Sequence, residues 1–123
     1  MKQYKDGHKI LIVDDEPDNI RILAARLRDM YTIVVATDGR KALEYAAADN
    51  QPSLILLDIM MPGKPVTEVV KQIKVIKIAF MSVVRISEAR KKGLCTQDNI
   101  IDFIQKPFDV GDLVGRVELV LGE

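Results

Sequence analysis

Along the chain, short continuous apolar runs alternate with segments whose apolar residues recur at helical spacing. Ile10-Leu11-Ile12-Val13, Ile33-Val34-Val35-Ala36, Leu54-Ile55-Leu56-Leu57, Ile78-Ala79-Phe80-Met81 and Ile100 to Ile104 predict five strands. Most of these runs lack polar alternation, as parallel strands covered on both faces do. Between them, Ile20, Leu23, Ala24 and Leu27 mark one helix face, and Leu43, Ala46 and Ala47 a second, shorter one. Val66, Val69, Val70 and Ile73, then Val110, Leu113, Val114 and Val117, repeat the i, i+3, i+4, i+7 spacing of an amphipathic helix. The segment from Arg85 to Gly93 carries only Ile86 and Ala89 as apolar positions and reads as a short helix with Ser87 as N-cap. Five strands interleaved with five helices predict an α/β fold: a doubly wound parallel sheet with right-handed crossovers.

In such sheets ligands bind beyond the carboxyl ends of the strands, where the strand order reverses. The predicted strand ends deliver Asp14-Asp15-Glu16, Thr37-Asp38, Asp58, Ser82-Val83 and Gln105-Lys106. Each has a plain structural reading. Acidic residues before Pro17 suit a helix start, because they cap it and oppose its dipole. Asp58 ahead of Met60-Met61-Pro62-Gly63 opens a turn; Ser82 is a satisfied hydroxyl; Lys106 is a solvated lysine ahead of a helix capped by Asp109. Their joint placement argues for something more. If strands one, three, four and five are neighbours, Asp14, Asp15, Asp58, Ser82 and Lys106 share one pocket.

Charge then changes the picture. Two carboxylates about 4 Å apart repel by about 4 kcal/mol at an effective dielectric near 20, so three of them need a compensating cation. Oxygen-only ligation with few protein ligands suits Mg²⁺ or Mn²⁺, which keep several waters and accept phosphate oxygens. Three carboxylates, one ammonium and one divalent ion sum to zero. Such a site can receive a phosphoryl group, with an aspartate as acceptor and Lys106 on the transferred oxygens.

Composition excludes other classes. Lys plus Arg and Asp plus Glu number 18 each among 123 residues, so no basic excess holds a nucleic acid backbone. The single cysteine, Cys95, forms no internal disulfide and fits a reducing, cytoplasmic setting. No apolar stretch approaches the roughly 20 residues that span a bilayer, and the N-terminus has no apolar signal-peptide region. There is no glycine-rich phosphate loop and no dinucleotide fingerprint. His8 lacks a second soft ligand for zinc. Arg85, Arg90, Lys91 and Lys92 form a basic cluster, read as a solvated face or a docking patch. A single domain over residues 1–123, without an effector domain, is the expectation.

The pattern ILIVDDEP, LILLDIMMPG, a hydroxyl residue ending the fourth strand, and FIQKPF resembles the receiver domain of two-component response regulators. The resemblance runs from about His8 to Leu121. It implies the flavodoxin-like strand order 2-1-3-4-5 and a phosphoacceptor signalling switch rather than an enzyme acting on other substrates. Asp58 would accept a phosphoryl group from the phosphohistidine of a sensor histidine kinase or phosphotransfer protein. Asp15, Asp58 and the backbone carbonyl of Met60 would ligate the metal, with Asp14 assisting through water. Lys106 would pair with the acyl phosphate, and Lys106-Pro107 would be a cis peptide. Ser82 would swing towards the phosphoryl oxygens, coupled to Phe103 as the rotameric aromatic. Output would be binding of a partner protein, with a phosphorylation-dependent dimer as one form of it. Met60 and Val84, two residues beyond the acceptor and the switch hydroxyl, are apolar and would leave hydrolysis slow.

Three stretches depart from the family pattern. The chain between Asp58 and Ser82 is several residues short, which predicts a short third helix starting near Pro65. Val83 replaces a small residue, and GLCTQDNIIDFI replaces the usual lead into the fifth strand. Two other readings stay open: a phosphorylation-independent adaptor (a pseudo-receiver), and an aspartate-based phosphohydrolase, which lacks its second acid because Met60 stands there.

Overall fold

The computed structural model describes residues 7–60, 65–83, 87, 93 and 96–121. Five strands form one sheet: β1 Lys9–Val13, β2 Thr32–Ala36, β3 Leu54–Asp58, β4 Lys77–Ser82 and β5 Ile100–Gln105. All pairings are parallel, in the order β2-β1-β3-β4-β5. Four helices are described: α1 Pro17–Leu27, α2 Gly39–Ala47, α3 Val66–Lys71 and α4 Val110–Val120. The sequence predicts five. The fifth, expected over Arg85–Gly93, falls outside the described residues except at Ser87 and Gly93, and so does the whole basic cluster of Arg85, Arg90, Lys91 and Lys92. Among the described residues no helix is long and apolar enough to cross a membrane.

The unbroken apolar runs have a direct cause. Successive side chains on a strand point to opposite faces, and helices cover both. Leu11, Val13, Ile55, Leu57, Ile78 and Phe80 pack with Ala42, Ala46, Val69 and Val70 of α2 and α3. Ile10, Ile12, Leu54, Leu56, Ala79 and Met81 pack with Leu23, Leu27, Leu113 and Val117 of α1 and α4. Most of these side chains are fully buried, each contributing roughly 1.5–3 kcal/mol for the largest. Helix α2 corrects one expectation: its buried stripe is Gly39, Ala42 and Ala46, whereas Ala47 is exposed. The 3.6-residue period started from Gly39 carries Ala47 off the core side.

Two irregularities matter later. The pairing of β4 with β5 runs Ile78 to Ile100 and then Ala79 to Asp102, so Ile101 is an extra, bulged residue. Helix α3 is only six residues long, beginning just after Pro65. A short helix still leaves carbonyls without helical partners at its end. Gln97 Nε2 donates to the carbonyls of Val70 (3.1 Å) and Ile73 (3.3 Å), and Asn99 Nδ2 to those of Ile73 and Ile76 (both 2.8 Å). The atypical lead into β5 therefore closes off the shortened α3 segment.

Candidate functional site at the carboxyl rim of the sheet

Strand alternation already sorts the charged residues. Asp14 follows Ile10 and Ile12, and Asp58 follows Leu54 and Leu56, so both continue the face covered by α1 and α4. Lys106 continues Ile104 on that same face. It does so because of the bulge at Ile101: Ile100 packs on the α2–α3 side, and Ile104, four residues on, on the α1–α4 side. Asp58 and Ser82 are the last residues of their strands rather than the first beyond them.

The side chains converge. One carboxylate oxygen from each of Asp14, Asp15 and Asp58 lies within 4.8 Å of the others. Lys106 Nζ reaches from β5 across the end of β4 and donates to Asp58 Oδ2 and Asp14 Oδ2, both at 3.0 Å. Asp14 is fully buried and also accepts from the Glu16 N–H (3.0 Å) and from Asn19 Nδ2 (3.4 Å). Asp58 is 5% exposed, and its Oδ1 accepts from the Met60 N–H at 2.9 Å. Asp15 faces solvent. The group opens into a cavity of about 510 Å³ whose walls include Asp15, Asn19, Asp58, Met60, Val83 and Lys106.

The other sequence candidates are placed as follows. Ser82 is fully buried, in register with Gln105, and its carbonyl accepts the Lys106 N–H at 2.7 Å. It does not line the cavity; Val83 does. Phe103 is half-buried and meets Phe80 edge-on, with ring centroids 6.3 Å apart. The Lys106-Pro107 peptide is cis. Met60, whose carbonyl the resemblance assigned to the metal, touches Asp58 through its N–H. Val84 lies outside the described residues.

The electrostatics show what the arrangement lacks. Burial pushes the Asp58 carboxyl above its ordinary range, more than the Met60 N–H and Lys106 pull it down, and Asp14 adds to the rise. For Lys106, burial works against the ammonium, but the hydrogen bonds and charges of Asp14 and Asp58 outweigh it and hold its pKa up. The charged form is thus favoured at Lys106 and disfavoured at Asp58. Three carboxylates and one ammonium leave two negative charges, and the donor set is all oxygen. These residues fit a hard divalent cation of the Mg²⁺ type.

Three contributors were not read from the sequence. Asn19 sits on the first turn of α1, five residues after Asp14, and helical spacing from DDEP could have placed it near the site. Glu16 contributes its N–H to Asp14 although its side chain caps nothing. Gln105 Nε2 donates to the carbonyls of Val83 (2.9 Å) and Ser82 (3.4 Å), fastening the end of β4 to β5. No local pattern announces that contact.

Known proteins share both sequence and fold. The family description "Response regulator receiver domain" matches residues 10–118. The alkaline phosphatase synthesis transcriptional regulatory protein PhoP of Bacillus subtilis is 34% identical over 116 residues, covering 92% of this chain and 48% of PhoP. The response regulator PleD of Caulobacter vibrioides is 36% identical over 116 residues, 89% of this chain and 25% of PleD. The chain thus spans half or less of either relative's length. Among solved structures, the response regulator TrrA of Thermotoga maritima, in complex with Mg²⁺-BeF, is 28% identical with a TM-score of 0.76, covering 92% of this chain and 98% of that one. The BeF₃-activated DrrB receiver domain has the same fold, with a TM-score of 0.79 at 23% identity over 95% of this chain and 99% of that one. The acids at the strand ends, the lysine that bridges them and these matches have one reading: the chain belongs to the response regulator receiver domain family.

Proposed function

We propose that Asp58 accepts a phosphoryl group from the phosphohistidine of a sensor histidine kinase or phosphotransfer protein, and that the acyl phosphate so formed is the signal. The observation that carries this reading is the Lys106 ammonium at 3.0 Å from both Asp58 and Asp14. An Asp58 oxygen attacks phosphorus, the bond to the donor nitrogen breaks, and the electron pair leaves with the imidazole. The Met60 N–H holds Oδ1, so the acceptor carboxylate is oriented before the donor arrives. Lys106 favours the anionic form of Asp58 and follows the developing charge onto the phosphoryl oxygens. Asp14, Asp15 and Asp58 would hold Mg²⁺ or Mn²⁺, with the Met60 carbonyl added. Bound there, the ion would supply positive charge to the phosphoryl oxygens.

The acyl phosphate brings about one more negative charge and new acceptor oxygens. Ser82, buried behind the cavity wall, reaches them only by moving, and the β4–β5 surface around Phe103 and Phe80 moves with it. A shift of a few kcal/mol between two packings changes their populations substantially, and an output protein or a second copy of the chain reads the result. The adaptor reading draws support from one fact: Ser82 is absent from the cavity wall.

Intact mass after incubation with phosphoramidate and Mg²⁺ tests the proposal. A gain of one phosphoryl group, lost in Asp58→Asn, is the expected result. After donor removal the phosphoryl group persists for minutes or longer, because the exposed Met60 side chain orients no water. Absence of the gain in the folded parent leaves the adaptor.

A further inference from the structure

The two faces of the sheet are covered unequally. On one, α1 and α4 run eleven residues each, about 16 Å of helix. On the other, α2 has nine residues and α3 only six, so α3 extends about 9 Å. A five-residue strand such as β3 is about 17 Å long. Beyond the last turn of α3 the layer is finished by Ile73 and Ile76, both buried, and a slot of about 410 Å³ lies between this segment and α2. It shares no lining residue with the cavity at the carboxyl rim. The α2 wall is Arg40, Leu43, Glu44 and Ala47, the i, i+3, i+4, i+7 face of two helical turns. The other wall includes Lys74 and Val75, and Val75 is 83% exposed.

The charge of the slot is one-sided. Glu44 is answered by Lys41 at 3.5 Å. Among the described residues neither Arg40 nor Lys74 has an ion-pair partner, although the whole chain has as many acids as bases. The backbone at the end of α2 is satisfied: Gln51 Nε2 donates to the Ala46 carbonyl at 2.8 Å, and the Ala48 N–H to that of Tyr45. An apolar floor flanked by two open cations suits an occupant that is apolar on one side and anionic beside it. A second copy of the chain brings the same cations back to each other across a two-fold axis. A small ligand stays largely uncovered, because most of the lining residues are exposed. We propose that the slot docks an acidic amphipathic helix of a partner protein, with apolar residues against Leu43, Ala47 and Val75 and carboxylates beside Arg40 and Lys74. The docked helix completes the layer that the six residues of α3 leave short. The slot makes no use of Asp58 and stands whether or not that residue accepts phosphorus.

Fluorescence anisotropy with the full chain tests the proposal. The probe is a fluorescein-labelled helical peptide of about three turns, with leucine at i, i+3, i+4 and i+7 and glutamate on both flanks. A matched peptide carries lysine in place of glutamate. The glutamate peptide binds, and the lysine peptide binds about tenfold more weakly. Arg40→Glu combined with Lys74→Glu weakens the glutamate peptide about tenfold and brings the lysine peptide to within about threefold of the original affinity. Val75→Ser weakens the glutamate peptide about fivefold. All three positions are exposed, so the fold is retained, and Asp58→Asn binds the peptide as the parent does. No anisotropy change up to about 1 mM peptide, or affinities that move by less than about twofold in both slot variants, overturns the proposal. So does a parent dimer in sedimentation that Val75→Ser dissociates, which assigns the slot to a second copy.

Discussion

The two rims of the sheet solve opposite problems. At the amino rim several polar side chains near the strand starts meet a neutral partner or a carbonyl. Asn99 and Gln97 hold the carbonyls after α3, Lys77 Nζ reaches the Val120 carbonyl, Lys9 Nζ the Asn50 carbonyl, and His8 pairs with Ser53. At the carboxyl rim, among the described residues, three carboxylates crowd one another with a single lysine among them. Buried hydrogen bonds to backbone carbonyls stabilise a fold, whereas like charges held together oppose it. The difference separates scaffold from chemistry: one rim is electrostatically closed, and the other is left short of positive charge.

The sharpest way to break this contrast is at the closed rim. Asn99→Ala leaves the buried Ile76 carbonyl without its amide donor and weakens the hold on Ile73. The expected loss is about 2–3 kcal/mol, roughly 10 °C in Tm for a domain of this length. Calorimetry measures it, and phosphoryl acceptance by the folded fraction stays as in the parent.

The open rim responds with the opposite sign. Burial raises the folded Asp58 pKa above the ordinary 3.8. The native state therefore binds that proton more tightly than the unfolded chain does. The associated stability is present below the unfolded value and lost as pH rises through the folded one. At neutral pH without divalent ions, Asp58→Asn gains about 1 kcal/mol, some 4 °C. Thermal melts across pH check the sign: the gap between variant and parent closes as pH falls below the ordinary carboxylate range. A gap that widens on acidification contradicts the strained-carboxylate view.

The smallest effect belongs to neither rim. Arg116 forks onto both Asp102 oxygens (2.9 and 3.1 Å) and touches Asp112 at 3.1 Å. The Asp102 hydrogen bonds raise its pKa. It is 41% exposed, so solvent screening holds Arg116→Ala to about 0.5 kcal/mol, and about 1 M salt removes most of that difference in denaturant titrations.

Much of this was legible before any coordinates. The runs from Ile10, Leu54 and Ile78 mark their strands because parallel strands buried on both faces carry little else, and the run from Ile33 marks the half-buried edge strand β2. Asp14, Asp58 and Lys106 could be gathered because they close such runs. What stayed hidden depends on contacts between distant segments. Asn99 and Ile73 meet across 26 residues of chain, and Gln105 finds Val83 only once β4 and β5 pair. Ala47 misled because helical spacing fixes a stripe's period but not its starting residue. Asn19 is accessible to the same spacing argument that identifies α1, since it lies one helical turn beyond the acids of DDEP.

The supernumerary Ile101 shows how little a motif guarantees. Pair that one position as an ordinary strand residue instead of bulging it, and FIQKPF, DDEP and LLDIM would all survive a search unchanged. Yet the end of β5 would be turned over, its ammonium delivered to the wrong helical layer, and the acids abandoned to their mutual repulsion. Whether such a chain can signal is decided by the odd or even count of residues from the irregularity, a property that no inventory of signature letters records.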